Sequence, residues 1–214
     1  MSPDAQTFSG AVHLHPGAAR RDRCREAIGT KRMRVTIFDF DGTLFRSPER
    51  PTWWPLAGFW SRLESLGPPF VPEDPGHDWW AADVVAEARK AIADPESMTV
   101  LLTGRSERFA PRVTELLHGH RFWFDESHFM SLGETETLGG KLRVIEALAR
   151  RTPRFEVVEV WDDRHEHLAA FETRLQALDI KYIGHHVRRA TRGPATDADG
   201  LAHALKALSS EEGG

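Results

Sequence analysis

The stretch Val35-Thr36-Ile37-Phe38-Asp39-Phe40-Asp41-Gly42-Thr43-Leu44 limits what this chain can fold into more than any other. A β-branched and aromatic run that ends on Asp-Gly reads as a buried strand leading into a sharp turn. The two carboxylates therefore sit at the carboxyl end of a strand. Residues i and i+2 of a strand point to the same side, so Asp39 and Asp41 either converge or are parted where Gly42 re-aims the chain. Two negative charges so close call for a cation or a shared proton, and hard oxygen donors of this kind suit magnesium. The bare pattern Asp-x-Asp also fits aspartates that only cap a turn. A calcium loop is excluded, because its sixth and twelfth positions require Gly and Glu where this chain has Leu44 and Arg50.

At 214 residues the chain can bury one core. Its formal charge of -4 gives no global nucleic-acid signal, so any basic binding surface has to be local. The single cysteine, Cys24, excludes an internal disulfide, and no apolar run approaches the roughly 18 residues of a spanning helix. A reducing, cytoplasmic setting without a membrane is expected. Residues 1–33 carry Arg20, Arg21, Arg23, Arg25, Lys31 and Arg32 with no sustained period, and they are expected to be a disordered extension, with Met33 as an alternative start. The folded domain is expected over residues 34–210.

Downstream, further strands again end on polar residues. Residues 46–97 form an insert rich in Pro and Trp. Within it Pro55 to Leu66 is expected as a short helix, and Asp78 is expected to cap a longer one carrying Ala81, Val84, Val85, Ala88 and Ile92. Trp53, Trp54, Trp60, Trp79 and Trp80 either roof a small core or form an aromatic platform beside the site. Thr99 to Leu102 reads as a buried strand leaving through Thr103-Gly104-Arg105 toward a helix, an arrangement that receives an anion. Phe122 to Phe124 reads as a third strand, followed by a polar connection over 125–136. Thr137 is then expected to cap a helix with Leu138, Leu142, Ile145 and Ala149 inward, which leaves Lys141 off the apolar stripe. Phe155 to Trp161 alternates and ends on Asp162-Asp163-Arg164. Leu168, Phe171, Leu175 and Leu178 stripe the next helix, Ile180 to Ile183 reads as a strand, and Leu201 to Leu208 as a closing helix. His165, His167, His185 and His186 receive no role. Strands alternating with helices imply a parallel sheet covered on both faces, with ligands at the carboxyl ends of the strands.

Asp-Phe-Asp-Gly-Thr-Leu after an apolar strand resembles the first motif of the haloacid dehalogenase (HAD) superfamily. The resemblance implies a three-layer, Rossmann-like α/β fold with a mostly parallel sheet and a small cap, here about residues 46–97. It implies that Asp39 attacks phosphorus to form an aspartyl-phosphate, while Asp41 protonates the leaving oxygen and then activates water. It further implies that Thr103, Gly104 and Arg105 bind the phosphoryl group, that Lys141 holds nucleophile and phosphate, and that Asp39, Asp41, Asp162 and Asp163 serve a Mg2+ ion. The second aspartate disfavours the dehalogenating branch, whose chemistry needs no proton donor. The Trp-rich insert, Gly-His-Asp-Trp-Trp, Leu-Thr-Gly-Arg with Phe109, and Asp-Asp-Arg-His-Glu-His-Leu with Phe171 are similar to the HAD-type domain of Swiss-army-knife RNA repair proteins. Two positions depart from that pattern, Gly140 for Phe and Asp162 for Glu. Asp-Asp-Arg also resembles polynucleotide 3'-phosphatase domains. Both comparisons imply a phosphorylated RNA or DNA end as substrate. The other readings are a small metabolite or nucleotide monophosphate, and a non-catalytic module that binds phosphate ends or a partner. Oligomeric state has no sequence signal.

Overall fold

The computed structural model describes residues 12–14, 34–51, 54, 58–130, 136–151 and 155–188. Among the described residues six strands form one sheet: β1 (Val12–Leu14), β2 (Arg34–Phe38), β3 (Ser97–Ser106), β4 (Glu126–Met130), β5 (Val157–Asp162) and β6 (Lys181–His186), in the order β1-β4-β3-β2-β5-β6. β2 to β6 are parallel to their neighbours, and β1 adds to the edge antiparallel to β4, Val12 opposite His128. β1 falls inside the stretch expected to be disordered. Its three residues find backbone partners on β4, which no local period foretells.

β2 is central because both of its faces are buried, as a continuous apolar run requires. Val35 and Ile37 pack with Val100, Val158 and Val160 under helices α3 (Thr137–Ala149) and α4 (His165–Gln176). Phe38 faces the other way, toward α1 (Ala82–Ala93) and α2 (Ala110–Gly119), among Val84, Ala88, Val113 and Leu117. The result is the expected three-layer α/β architecture with a parallel core sheet.

Several local expectations are corrected. The third strand is Glu126–Met130, fully buried, while Phe122 and Phe124 are loop residues in the core. Aromatic density marked burial there, not pairing. Asp78 sits in a 3-10 turn, His77–Trp79, and α1 begins at Ala82 with Ala81 at its N-cap. In the expected helix Pro55–Leu66, residues 55–57 lie outside the described part, and the remainder forms two 3-10 turns, Phe59–Ser61 and Leu63–Leu66. Trp54, Phe59 and Phe70 pack into a small core of their own, and Trp79 and Trp80 join the main core, stacking on and edging Phe45. Of the two alternatives, Trp54, Trp79 and Trp80 therefore take the buried one. Trp53, the Arg189 and Arg192 part of the basic run, and Leu201 to Leu208 lie outside the described residues.

Candidate active site

The end of β2 is tied to β5, since the Asp39 N–H donates to the Trp161 carbonyl at 2.9 Å. The chain then turns back sharply. Leu44 and Phe45 N–H both donate to the Phe40 carbonyl, and Gly42 adopts φ 77, a left-handed value that favours glycine. Buried Phe40 stacks on Phe45 and anchors this turn. The turn parts the two aspartates, so of the two sequence alternatives the second holds.

Asp39 is buried and faces Lys141, whose Nζ donates to Asp39 Oδ1 at 2.7 Å and to Asp162 Oδ2 at 2.8 Å. The Thr43 hydroxyl donates to Asp39 Oδ2 at 3.3 Å. Lys141 is 2% exposed and lies on the buried stripe of α3, with Val144, Ile145, Leu148 and Ala149 below it. The expectation that it lies off that stripe is corrected. An apolar template cannot count a lysine, although its methylene stem packs like an aliphatic side chain.

Burial pushes the Asp39 carboxyl up to about 7, opposed by Lys141 and reinforced by Asp162. Burial also acts to raise Asp162, but Lys141 and His167 outweigh it and hold that carboxyl at about 2. Burial would lower Lys141, yet the two carboxylates hold it above its ordinary value. One cation thus faces two acids in a desolvated place. Asp163 adds a third, and Asp39, Asp162 and Asp163 can each offer an oxygen within 4.8 Å of the others. Lys141 occupies one oxygen each of Asp39 and Asp162. An all-oxygen donor set with surplus negative charge fits magnesium.

The Asp41 carboxylate is not in that group. Arg105 Nε donates to its two oxygens at 3.1 and 3.0 Å, Arg105 Nη2 to Oδ1 at 2.7 Å, and the Ser47 hydroxyl to Oδ1 at 2.5 Å. Burial raises Asp41, but Arg105 outweighs it, and the carboxyl lies below its ordinary range. The same guanidinium donates through Nη1 to the Trp60 carbonyl at 2.8 Å and to Ser65 Oγ at 2.5 Å. Arg105 thus fastens the insert to Asp41 while it also lines the cleft described below.

β3 continues through Ser106, its pairing with β4 irregular between Leu102 and Ser106, so α2 does not start directly after Gly104. Thr103 is fully buried, and its Oγ1 accepts the Arg105 N–H at 3.1 Å. Gly104 reaches the cleft and touches α3: a Cβ there would stand 2.7 Å from Thr137 Cγ2.

A cleft of about 220 Å³ opens over these groups, lined by Asp39, Asp41, Gly104, Lys141, Asp163 and, at its edge, Trp60 at 38% exposure. Arg105, Thr137, Arg164 and His167 complete it. His167 had no role in the sequence reading. Its Nδ1 lies 3.3 Å from Asp162 Oδ2, and it is 2% exposed. The only sequence hint was its place five residues after Asp162, in the first turn of α4.

Carboxylates at the ends of β2 and β5, a buried lysine between them and a small polar cleft lie where open α/β sheets bind their ligands. The chain belongs to the family described as HAD domain family 1 in Swiss Army Knife RNA repair proteins, which matches residues 51–191. Thr103, Gly104, Arg105, Lys141, Asp162 and Asp163 lie inside that match, and Asp39 and Asp41 lie just before it. Among solved structures, the chain is similar at 12% identity and a TM-score of 0.49 to one from the Pnkp1/Rnl/Hen1 RNA repair complex, covering 91% of this chain and 48% of that one. It thus spans about half the length of that relative. The HAD domain of the effector protein Lem4 from Legionella pneumophila is similar at 13% identity, with a TM-score of 0.47 and coverage of 83% and 94%. The Legionella pneumophila effector Ceg4 is similar at 11% identity, with a TM-score of 0.46 and coverage of 84% and 94%. Among the described residues no helix is long and apolar enough to cross a membrane.

Proposed function

We propose that this chain is a magnesium-dependent phosphoester hydrolase that removes a terminal 3' phosphate from a nucleic acid through an aspartyl-phosphate on Asp39. The observation that carries the hydrolase reading is the Lys141 ammonium shared between Asp39 and Asp162. It fixes Oδ1 of Asp39, and Oδ2, which accepts from the Thr43 hydroxyl at 3.3 Å, is the oxygen for attack. Held by Asp39, Asp162 and Asp163, magnesium would supply positive charge against the phosphoryl oxygens.

In the first step an Asp39 oxygen forms a bond to phosphorus, and the bond from phosphorus to the leaving oxygen breaks. That oxygen takes a proton from Asp41. In the second step water attacks phosphorus, its proton passes to Asp41, and phosphate leaves with Asp39 restored. Paired to Arg105, Asp41 is ionised, which suits the second step. For the first it must be protonated and released from Arg105, so the contact of that arginine with the Trp60 carbonyl ties proton transfer to the position of the insert. Lys141 and the Gly104 backbone face the phosphoryl position.

The nucleic-acid assignment rests on the family and on Trp60, the tryptophan that stands at the cleft mouth while Trp54, Trp79 and Trp80 are buried. The test compares a 3'-phosphorylated oligonucleotide, a 5'-phosphorylated one, nucleoside and sugar monophosphates and an aryl phosphate, all with magnesium. The 3' end is expected to be preferred, and Asp39→Asn to abolish turnover of every substrate. Trp60→Ala is expected to raise KM for the oligonucleotide by about 5- to 100-fold, the loss of one stacked base. Preference for a free monophosphate would replace the substrate while leaving the hydrolase. An Asp39→Asn enzyme as active as the parent would remove the mechanism, and an inert parent that still binds phosphorylated ends would leave a binding module.

A further inference from the structure

A second cleft, of about 480 Å³, is lined by Asp74, Pro75, Gly76, His77, Arg89, Gly119, His120 and Arg121, none of which belongs to the candidate active site. Two arginines, Arg89 and Arg121, line it, and among the described residues neither has an ion-pair partner. The Arg89 guanidinium carbon lies over the Phe122 ring, 5.6 Å from its centroid, a contact that leaves the N–H donors of the fork unspent. Arg121 has φ 60, a left-handed value at the end of α2 where glycine is the usual occupant. The turn is closed by its N–H on the His118 carbonyl at 2.9 Å. A strained arginine is thereby placed on the cleft rim. His120 sits between Trp80, His77 and the Pro75 carbonyl, 3.1 Å from its Nε2. Asp74 is the one carboxylate in the lining.

The position of this cleft follows from α2. That helix starts beside Phe109, over which Arg105 stacks at 4.8 Å, and ends at Gly119 on the second cleft. Its ten residues at about 1.5 Å each make the helix roughly 15 Å long. A stacked nucleic-acid strand rises about 3.4 Å per nucleotide, so that span is roughly four to five nucleotides.

We propose that the Arg89–Arg121 cleft binds the phosphodiester backbone of the substrate strand, several nucleotides from the end held over Asp39. This rests on the nucleic-acid reading given above. The chemistry is that of phosphate oxygens on paired guanidiniums, and a free phosphate or diphosphate would use the same donors.

The test measures catalytic efficiency of wild type, Arg89→Gln, Arg121→Gln and the double variant on an aryl phosphate, a 3'-phosphorylated dinucleotide and a 3'-phosphorylated ten-mer, over a range of salt. Titration with inorganic phosphate and pyrophosphate runs alongside. The wild type should favour the ten-mer over the dinucleotide. The double variant should keep its aryl phosphate and dinucleotide rates, which also reports that it is folded. It should lose about tenfold or more on the ten-mer. The slope of log efficiency against log salt should fall by about 1.4, two phosphates at roughly 0.7 each. Equal ten-mer efficiency in wild type and double variant overturns the subsite, as does an equal loss on the dinucleotide. Saturable phosphate or pyrophosphate binding lost in the double variant, with no ten-mer effect, assigns the cleft to a free anion and overturns the strand. A wild type that hydrolyses the aryl phosphate and neither oligonucleotide removes the nucleic-acid reading, and the subsite with it.

Discussion

A Cβ at position 104 would stand 2.7 Å from Thr137 Cγ2, so the last turn of β3 and the first residue of α3 meet at a distance that only glycine permits. Lys141 is carried one turn further along the same helix. Gly104→Ala should therefore push α3 outward, destabilise the fold by about 1–3 kcal/mol and lower kcat through a displaced Lys141. Thr137→Ser removes the offending methyl. The double variant Gly104→Ala/Thr137→Ser should recover most of both losses, and a double-mutant cycle on unfolding free energy and kcat would show this as a coupling. Purely additive effects would mean that the contact is not what Gly104 serves.

Arg105 makes contacts that a lysine cannot reproduce. Its fork holds both Asp41 oxygens, the Trp60 carbonyl and Ser65 at once, whereas an ammonium is a single point charge. Arg105→Lys is expected to lower kcat by about 10²-fold through misplacement of Asp41. It should also raise the pKa of Asp41 from its depressed position, moving the acid limb of the pH–rate profile upward. An unchanged profile would show that Asp41 does not depend on this arginine.

Metal binding should be pH-dependent with a definite sign. Asp39 is raised to about 7, chiefly by burial, so below that pH the carboxyl holds a proton that competes with magnesium. Apparent magnesium affinity is expected to fall as pH drops from 8 to 6, and calorimetry should register proton release on binding. For the metal-free protein the linkage runs the other way. The folded state takes up a proton between the unfolded value of 3.8 and about 7, so this group makes the fold more stable as pH falls through that window. Asp39→Asn should remove both dependences.

Glu126 on β4 gives the opposite slope in a more acidic window. Although burial raises its carboxyl, His128 and Arg151 outweigh that and lower it from 4.5 to about 2. A depressed carboxyl contributes stability that is fully present above pH 4.5 and is lost as pH falls toward 2. Unfolding free energy measured from pH 6 to pH 2 should fall less steeply for Glu126→Gln than for the parent. Parallel curves would mean that the Arg151 contact, made by a side chain 37% exposed, is screened by solvent.

The sequence by itself determined the parallel α/β architecture, the strand ending on Asp39, the place of Asp162 and Asp163 and the family. Those are local signals: an apolar run long enough to be buried on both faces, then charged residues where it ends. It also determined Gly42 as the turn residue, because φ near 77 narrows the choice at one position. Tertiary structure alone decided how the charges pair. Lys141 is 102 residues from Asp39, and Arg105 is 64 from Asp41. Nothing in the spacing says which cation meets which acid, because each pairing depends on how two distant elements are docked on the sheet. The same reason hid His167, whose ring reaches Asp162 only once α4 packs beside β5. It also sorted the tryptophans, leaving Trp60 at the cleft, since burial of an aromatic residue depends on what the rest of the chain brings over it.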